Sequence, residues 1–266
     1  MKIKIFIFIF FALAVSFLSS YAEDKVKDFY LSNYKTDGAV AWEVKGTDAV
    51  IKDPDVKITN MAAKYYAPDD TVTVTSDKAK LNKANMDLVL KKNVKIESEA
   101  GAVLTTDKLN WQKNKNLIST NEEVQINKND MQITAQGMQA DTQMKKVDFT
   151  KDVSAQLIAP DTKGPITITC DGALEIEYES GQATFHDNVA VKHEQGALYA
   201  DTATAYFDKA QKTIARIVCE GNVQIVKDDN TTYAQKATYL RTEGKVVLEG
   251  RPRLVYHPKK AQESLF

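Results

Sequence analysis

Cys219-Glu-Gly-Asn-Val-Gln-Ile225 is one of three clear copies of a pattern that recurs along this chain. The other two are Leu90-Lys-Lys-Asn-Val-Lys-Ile96 and Phe185-His-Asp-Asn-Val-Ala-Val191. Weaker copies are Thr120-Asn-Glu-Glu-Val-Gln-Ile126, Phe149-Thr-Lys-Asp-Val-Ser-Ala155 and Leu248-Glu-Gly-Arg-Pro-Arg-Leu254. The central residues are Val94, Val124, Val153, Val189, Val223 and Pro252, spaced 30, 29, 36, 34 and 29 residues apart. Such self-similarity indicates a repeat architecture whose neighbouring units stack.

Each copy predicts a strand, a corner and a second strand. Apolar and polar residues alternate, as in a half-buried strand. A polar residue or a glycine interrupts the apolar side in the middle, where Gly and Asn tolerate the backbone angles of a bulge or bend. These interrupting residues are Lys92, Glu122, Lys151, Asp187, Gly221 and Gly250.

A second pattern follows each clear copy and predicts another strand that ends in an aromatic residue. Its copies are Val103 to Trp111, Leu198 to Tyr206 and Thr232 to Tyr239. One period therefore contains two to three short strands joined by polar turns, and the chain is predicted to be all-β.

Length and charge narrow the class of protein. The chain has 266 residues, 43% of them hydrophobic, which suits one large β domain or two small ones. Its formal net charge of −1 lacks the basic bias of a nucleic-acid-binding surface, so we expect no nucleic-acid partner.

The N-terminus predicts export from the cytoplasm. Met1-Lys-Ile-Lys4 is basic, residues 5–18 are apolar apart from Ser16, and Ser20-Tyr-Ala22 offers a cleavage site before Glu23. This is typical of a secretory signal peptide over residues 1–22. The alternative is a retained inner-membrane anchor through residues 5–18, although that stretch is shorter than the roughly 20 residues of a spanning helix.

Ala159-Pro-Asp-Thr-Lys-Gly-Pro165 is the strongest break in the chain and predicts a loop or hinge. We place a domain boundary there, which gives one domain over 23–165 and a second over 166–266. Each is expected to have its own core.

No catalytic or metal-binding motif stands out in the sequence. The three histidines fit no zinc-binding pattern, and no nucleophile elbow or phosphate-binding glycine pattern is present. We therefore expect neither an enzyme nor a cofactor. Cys170 and Cys219 lie on the apolar side of their strands, where they are either packed as small hydrophobic residues or joined in a disulfide.

The first half of the chain resembles the LptC family. The residues that carry this resemblance are Tyr34-x3-Gly38-x3-Trp42, Asn93-Val94-x-Ile96, Leu104-Thr-Thr-Asp-Lys-Leu-Asn-Trp111 and Leu117-Ile-Ser-Thr120. The second half resembles LptA, the organic-solvent-tolerance A domain, through Ala200-Asp201, Gly221-Asn-Val-Gln-Ile225 and Ala234-Gln-Lys-Ala237. Together the two resemblances cover about residues 33 to 256 and suggest a fusion.

The resemblance implies an antiparallel β-jellyroll, rolled like an open taco, in a periplasmic protein of lipopolysaccharide export. In such proteins lipid A acyl chains slide along the apolar interior. Members join end to end into a bridge from an inner-membrane ABC transporter to an outer-membrane translocon. The expected partners are thus lipopolysaccharide, the transporter and other jellyroll proteins that add strands at the sheet edges.

One apolar side of the repeated strands is the predicted lipid path. Burial of hydrocarbon is non-directional, which suits a carrier without a deep specific site. The eight predicted lipid-binding residues are Val94, Ile96, Val124, Ile126, Val189, Val191, Val223 and Ile225. The alternatives are that these residues are ordinary core, or that the chain is a structural or adhesive exported β-solenoid with a filled interior.

Overall fold

The computed structural model describes residues 24–68, 70–142, 145–158, 164–208 and 213–256. The predicted signal peptide, residues 159–163 of the predicted hinge and the tail from residue 257 lie outside the described residues. Two short 3-10 turns, Lys113–Lys115 and Arg241–Glu243, accompany the strands. The strands are β1 Asp24–Tyr34, β2 Val40–Lys52, β3 Asp55–Ala67, β4 Asp70–Asn82, β5 Leu88–Ser98, β6 Ala102–Gln112, β7 Leu117–Lys128, β8 Met131–Asp141, β9 Lys146–Leu157, β10 Ile166–Cys170, β11 Leu174–Glu177, β12 Gln182–His193, β13 Gly196–Asp208, β14 Thr213–Lys227, β15 Asn230–Leu240, β16 Lys245–Glu249 and β17 Arg253–Val255.

The strands form one antiparallel meander. Each strand from β1 to β9 pairs with the next, and so does each from β12 to β15. The short strands β10 and β11 lie end to end between β9 and β12 and pair with both. Similarly, β16 and β17 lie end to end beside β15. The prediction of an all-β antiparallel fold is confirmed.

The predicted corners are β-bulges. The pairing register shifts between Lys91 and Val94 in β5, between His186 and Val189 in β12, and between Glu220 and Val223 in β14. At each of these bulges two residues take positive φ, which lets the strand bend while both arms stay paired. The strand, corner, strand interpretation is therefore confirmed.

In the three clear copies of the pattern, the asparagine before the central valine hydrogen-bonds its corner to the neighbouring part of the sheet. Asn93 takes φ 50°, and its side-chain Nδ2 donates a 2.9 Å hydrogen bond to Asp77 Oδ2. Asn222 takes φ 46° and donates in the same way to Asp201 Oδ2 at 3.0 Å. Asn tolerates the left-handed conformation better than other non-glycine residues. The same residue thus supplies both the bend and its cross-strand hydrogen bond.

The corners roll the sheet so that its apolar face lies inside. Each of these corners lies between two buried apolar residues four positions apart, such as Leu90 and Val94, so the apolar residues on both arms of the strand face the same interior. The largest fully buried side chains include Phe149, Leu104, Ile118, Met138 and Leu174. A sheet bent at successive strands around one apolar interior is the rolled jellyroll architecture that we expected.

The sheet and the core continue across the predicted domain boundary. Val153 of β9 pairs with Cys170 of β10, and Phe149 of β9 pairs with Leu174 of β11. One cluster of buried hydrophobic residues includes members from both sides. The expectation of two separate cores is therefore not met in the described residues, since a strand from each side pairs at the junction. The division into 23–165 and 166–266 stays a prediction.

Candidate functional site

The candidate site is the inward apolar face of the rolled sheet. All eight residues that the sequence singled out lie on this face. Val191 and Ile225 are half-buried. The remaining six are almost fully buried, with exposed fractions of 3% or less: Val94, Ile96, Val124, Ile126, Val189 and Val223.

Strand register brings these residues together with partners that sequence reasoning missed. Val189 and Val191 pair with Ala200 and Leu198 of β13, and the next repeat pairs Val223 with Ala234 of β15. These partners belong to the second sequence pattern, and their apolar alternation was the signal that could have identified them. The inward face is thus built from both strands of every repeat.

Polar groups occur on the inward face mainly near the strand ends and at the corners. Lys128, the last residue of β7, is only 8% exposed. Burial lowers the pKa of its amine, and the nearby Asp70 carboxylate opposes that shift. Asp70 also accepts a 2.5 Å hydrogen bond from Ser98 Oγ. This cluster occupies one end of the interior beside β4, β5 and β7.

At the corners, buried hydroxyl groups satisfy the backbone of the bulges. Thr106 Oγ1 donates a 2.8 Å hydrogen bond to the Glu123 carbonyl oxygen, and Ser76 Oγ donates to the Lys78 carbonyl oxygen at 3.2 Å. A bulge leaves backbone groups unpaired, and burying such a group without a partner is costly. These hydroxyls therefore have a structural role.

Both cysteines are free and buried. Burial raises the pKa of each thiol to about 11. Of the two interpretations of Cys170 and Cys219, the packed small hydrophobic residue is the one that the structure shows.

The outer face and the rest of the described chain show no assembled catalytic or metal site. Within the described residues, no group of three His, Cys, Asp or Glu side chains could hold a metal ion. Glu175 lies 3.8 Å from His186 Nε2 on the outer face, in a cluster with Lys146 and Asp148. No helix among the described residues is long and apolar enough to cross a membrane.

Apolar side chains are exposed at both edges of the sheet. On β1, Val26 and Leu31 are 43% and 38% exposed. At the other edge, Val246 on β16 and Leu254 on β17 are 50% and 64% exposed. Among the described strands, β1 pairs only with β2, and β16 and β17 pair only with β15. Each edge thus combines unpaired backbone groups with apolar side chains.

Comparison with known families shows which family the chain belongs to. The family described as "Lipopolysaccharide-assembly, LptC-related" matches residues 18–159, which is more than half of the chain. The chain belongs to this LptC-related family. A second family, "LptA/(LptD N-terminal domain) LPS transport protein", matches residues 167–264. The expected tandem of an LptC-like and an LptA-like segment is confirmed. Both are transport families, so this LptC-related chain is not an enzyme.

Among solved structures, the chain is similar to LptH from Pseudomonas aeruginosa, described as the LptA-homologous periplasmic component of a lipopolysaccharide transport device. The identity is 11%, and the match covers 60% of this chain and 97% of that one with a TM-score of 0.34. No curated protein matches the chain.

Proposed function

We propose that this LptC-related protein is a periplasmic bridge component that passes lipopolysaccharide from an inner-membrane ABC transporter toward the outer membrane. The observation that carries the proposal is the continuous apolar interior, shared by an LptC-like and an LptA-like segment in one sheet. A single chain would then supply two consecutive segments of the bridge. The N-terminal leader predicted from the sequence would deliver it to the periplasm.

The inward face suits the acyl chains of the lipid. Burying hydrocarbon lowers the free energy by about 0.8 kcal/mol per methylene, and this value is the same for every methylene along an acyl chain. A face lined by Val, Ile, Leu and Ala therefore binds an acyl chain at many successive positions with similar free energy. Such a surface holds the lipid and still lets it move along.

The two edges of the sheet suit partners of the same architecture. An edge strand presents unpaired N–H and C=O groups that a strand from another chain can pair with. Here β1 lies at one edge and β16 and β17 lie at the other, so partners could join at both ends. We propose that one edge pairs with a strand of a protein on the transporter side, and that the other edge pairs with a strand of the next bridge protein.

The test is lipid binding by the exported full chain. The protein is purified from the periplasm without detergent, extracted with organic solvent, and the extract is analysed by mass spectrometry for lipopolysaccharide. Lipopolysaccharide in the extract, or saturable binding when it is added back, is the expected result. A folded protein that neither carries nor binds it would reject the proposal in favour of a structural β-solenoid with a filled core.

A further inference from the structure

Five lysines form a basic patch on the outer face of the first segment, β1 to β9. Strand register places Lys78, Lys91 and Lys108 side by side in one row across β4, β5 and β6. In the next row, Lys57 of β3 lies directly opposite Lys80 of β4. The row between them consists of buried apolar residues on the inward face, so the lysines point away from the interior. We call these five residues the lysine patch; Lys108 is half-buried and the other four are exposed.

The fold leaves most of this positive charge without a partner. Within the described residues, Lys80 is the one member of the patch with an ion pair, to Asp55 at 2.8 Å. Two other carboxylates, Asp77 and Asp107, lie at the corners of β4 and β6, and Asp77 accepts a hydrogen bond from Asn93. Like charges directly opposite each other destabilise a sheet. A negatively charged partner on this face would relieve that repulsion.

The equivalent surface of the second segment, β10 to β17 with its pairing to β9, carries the opposite charge. Four acidic residues lie in the two rows that correspond to those of the lysine patch: Asp148, Glu175, Glu220 and Glu249. Lys146 and Lys236 pair with three of these carboxylates, which leaves an acidic excess. The outer face is thus basic over β3 to β6 and acidic over β9 to β16. Such a separation of charge orients a protein against a charged surface.

The chemistry of the patch favours a broad anionic surface over a single anionic group. All four arginines of the chain lie within residues 216–253, so none is in the patch. Arginine recognises a phosphate or carboxylate through a planar fork of two hydrogen bonds, whereas lysine is a hydrated point charge on a flexible stem. Neighbouring strands are about 4.8 Å apart, so the patch extends roughly 14 Å from β3 to β6. That width exceeds one phosphate group and suits several lipid headgroups.

The patch lies near the N-terminal strand of the sheet. Strand β1 adds Lys25 and Lys27 to the same outer face, opposite Val50 and Asp48 of β2. The apolar stretch at residues 5–18 precedes β1 in the sequence and predicts either export across the inner membrane or anchoring in it. Both alternatives bring the chain to that membrane, and anionic phospholipid surfaces attract clusters of lysines close to them.

We propose that the lysine patch docks the first segment on the anionic phospholipid headgroups of the membrane that the leader targets. The acidic part of the outer face is then held away from the membrane by like-charge repulsion. The contact uses the outer face and leaves the inward apolar face free. It therefore adds a membrane contact to the proposed function and does not depend on lipopolysaccharide binding.

Vesicle flotation tests the contact with the exported full chain, recovered without detergent. The vesicles contain phosphatidylglycerol and phosphatidylcholine in equal amounts, and vesicles of phosphatidylcholine alone are the neutral reference. The patch variant combines Lys78→Gln, Lys91→Gln and Lys108→Gln. It removes like-charge repulsion and no core side chain, so we expect it to remain folded. The matched control has the same lysine-to-glutamine change at three exposed positions outside the patch: Lys64, Lys192 and Lys227.

We expect the wild type and the matched control to bind the anionic vesicles at least tenfold more tightly than the patch variant does. Added salt should weaken this binding, because exposed charges are screened. A patch variant that binds anionic vesicles like the control would overturn the proposal, and so would equal binding of the wild type to anionic and neutral vesicles.

Lipopolysaccharide binding, measured on the same three proteins, separates this proposal from the proposed function. We expect all three to bind lipopolysaccharide alike. Loss of that binding in the patch variant alone would assign the lysines to lipopolysaccharide phosphates and overturn the membrane contact. If none of the three binds lipopolysaccharide while the difference in vesicle binding persists, the proposed function fails and the membrane contact stands.

Photo-crosslinking tests the orientation on the membrane. Thr59 lies next to Lys78 in the patch row, and Val247 lies on the outer face of the second segment at 39% exposure. A photo-reactive residue is placed at each position in otherwise identical full chains on the anionic vesicles. We expect adducts with phosphatidylglycerol at Thr59, at least fivefold above those at Val247. Equal adducts at the two positions would refute docking through the lysine patch.

Discussion

Phe149→Ala would measure whether the two segments form one cooperative structure. Phe149 is 1% exposed and lies in β9, between Met138 of β8 and Leu174 of β11. These two neighbours thus belong to different segments, and the side chain of each is no more than 1% exposed. Removing a buried phenylalanine ring costs about 3–5 kcal/mol. With a urea dependence of about 3 kcal/mol per molar, the unfolding midpoint should fall by roughly 1–2 M.

The chain provides a native probe in each segment for this experiment. Both tryptophans, Trp42 and Trp111, lie in the first segment, and both cysteines, Cys170 and Cys219, lie in the second. Tryptophan fluorescence and thiol labelling would be followed over the same urea series. In the wild type the two transitions should coincide, and in Phe149→Ala they should shift together, because the ring packs against both segments.

The matched control is Val246→Ala, at a side chain that is 50% exposed, which should change stability by less than about 0.5 kcal/mol. Separate fluorescence and thiol transitions in the wild type would refute the continuous core. A shift confined to the tryptophan signal in Phe149→Ala would refute it as well.

Three further outcomes are expected. The raised thiol pKa of Cys170 and Cys219, about 11 against 9.0, favours the neutral form in the folded state. The stability from this shift is therefore full below pH 9 and lost as the pH rises toward 11, which pH-dependent urea unfolding would show. Gly196→Ala should lower the melting temperature clearly, because its Cβ would lie 2.3 Å from the Val226 carbonyl oxygen at a φ of 150°; an unchanged melting temperature would contradict this. Limited proteolysis should cut first within residues 159–165, and the two fragments should still co-elute through the pairing of β9 with β10 and β11; separate elution would show that this pairing is too weak to hold them.

The local signals in the sequence were sufficient for the strands and corners. Alternating apolar residues define strands, and an Asn beside Gly, Asp or Lys marks a bulge, because both signals act within a few residues of backbone. Asn93, Asn188 and Asn222 are at positive φ, as the pattern required. The same alternation correctly predicted that the eight candidate residues face the interior of the sheet.

Only the tertiary structure decided how the repeats pack together. The Pro- and Gly-rich stretch at 159–165 predicted separate cores, yet β9 pairs with β10 and β11, since pairing depends on partners that the loop brings together. Val124 and Val223 share the local sequence Val-Gln-Ile, yet Ile126 is buried while Ile225 is half-buried. Whether such a position belongs to a filled core or to an open trough depends on the size of the residues packed around it and on how far the sheet curls, which no short stretch of sequence encodes.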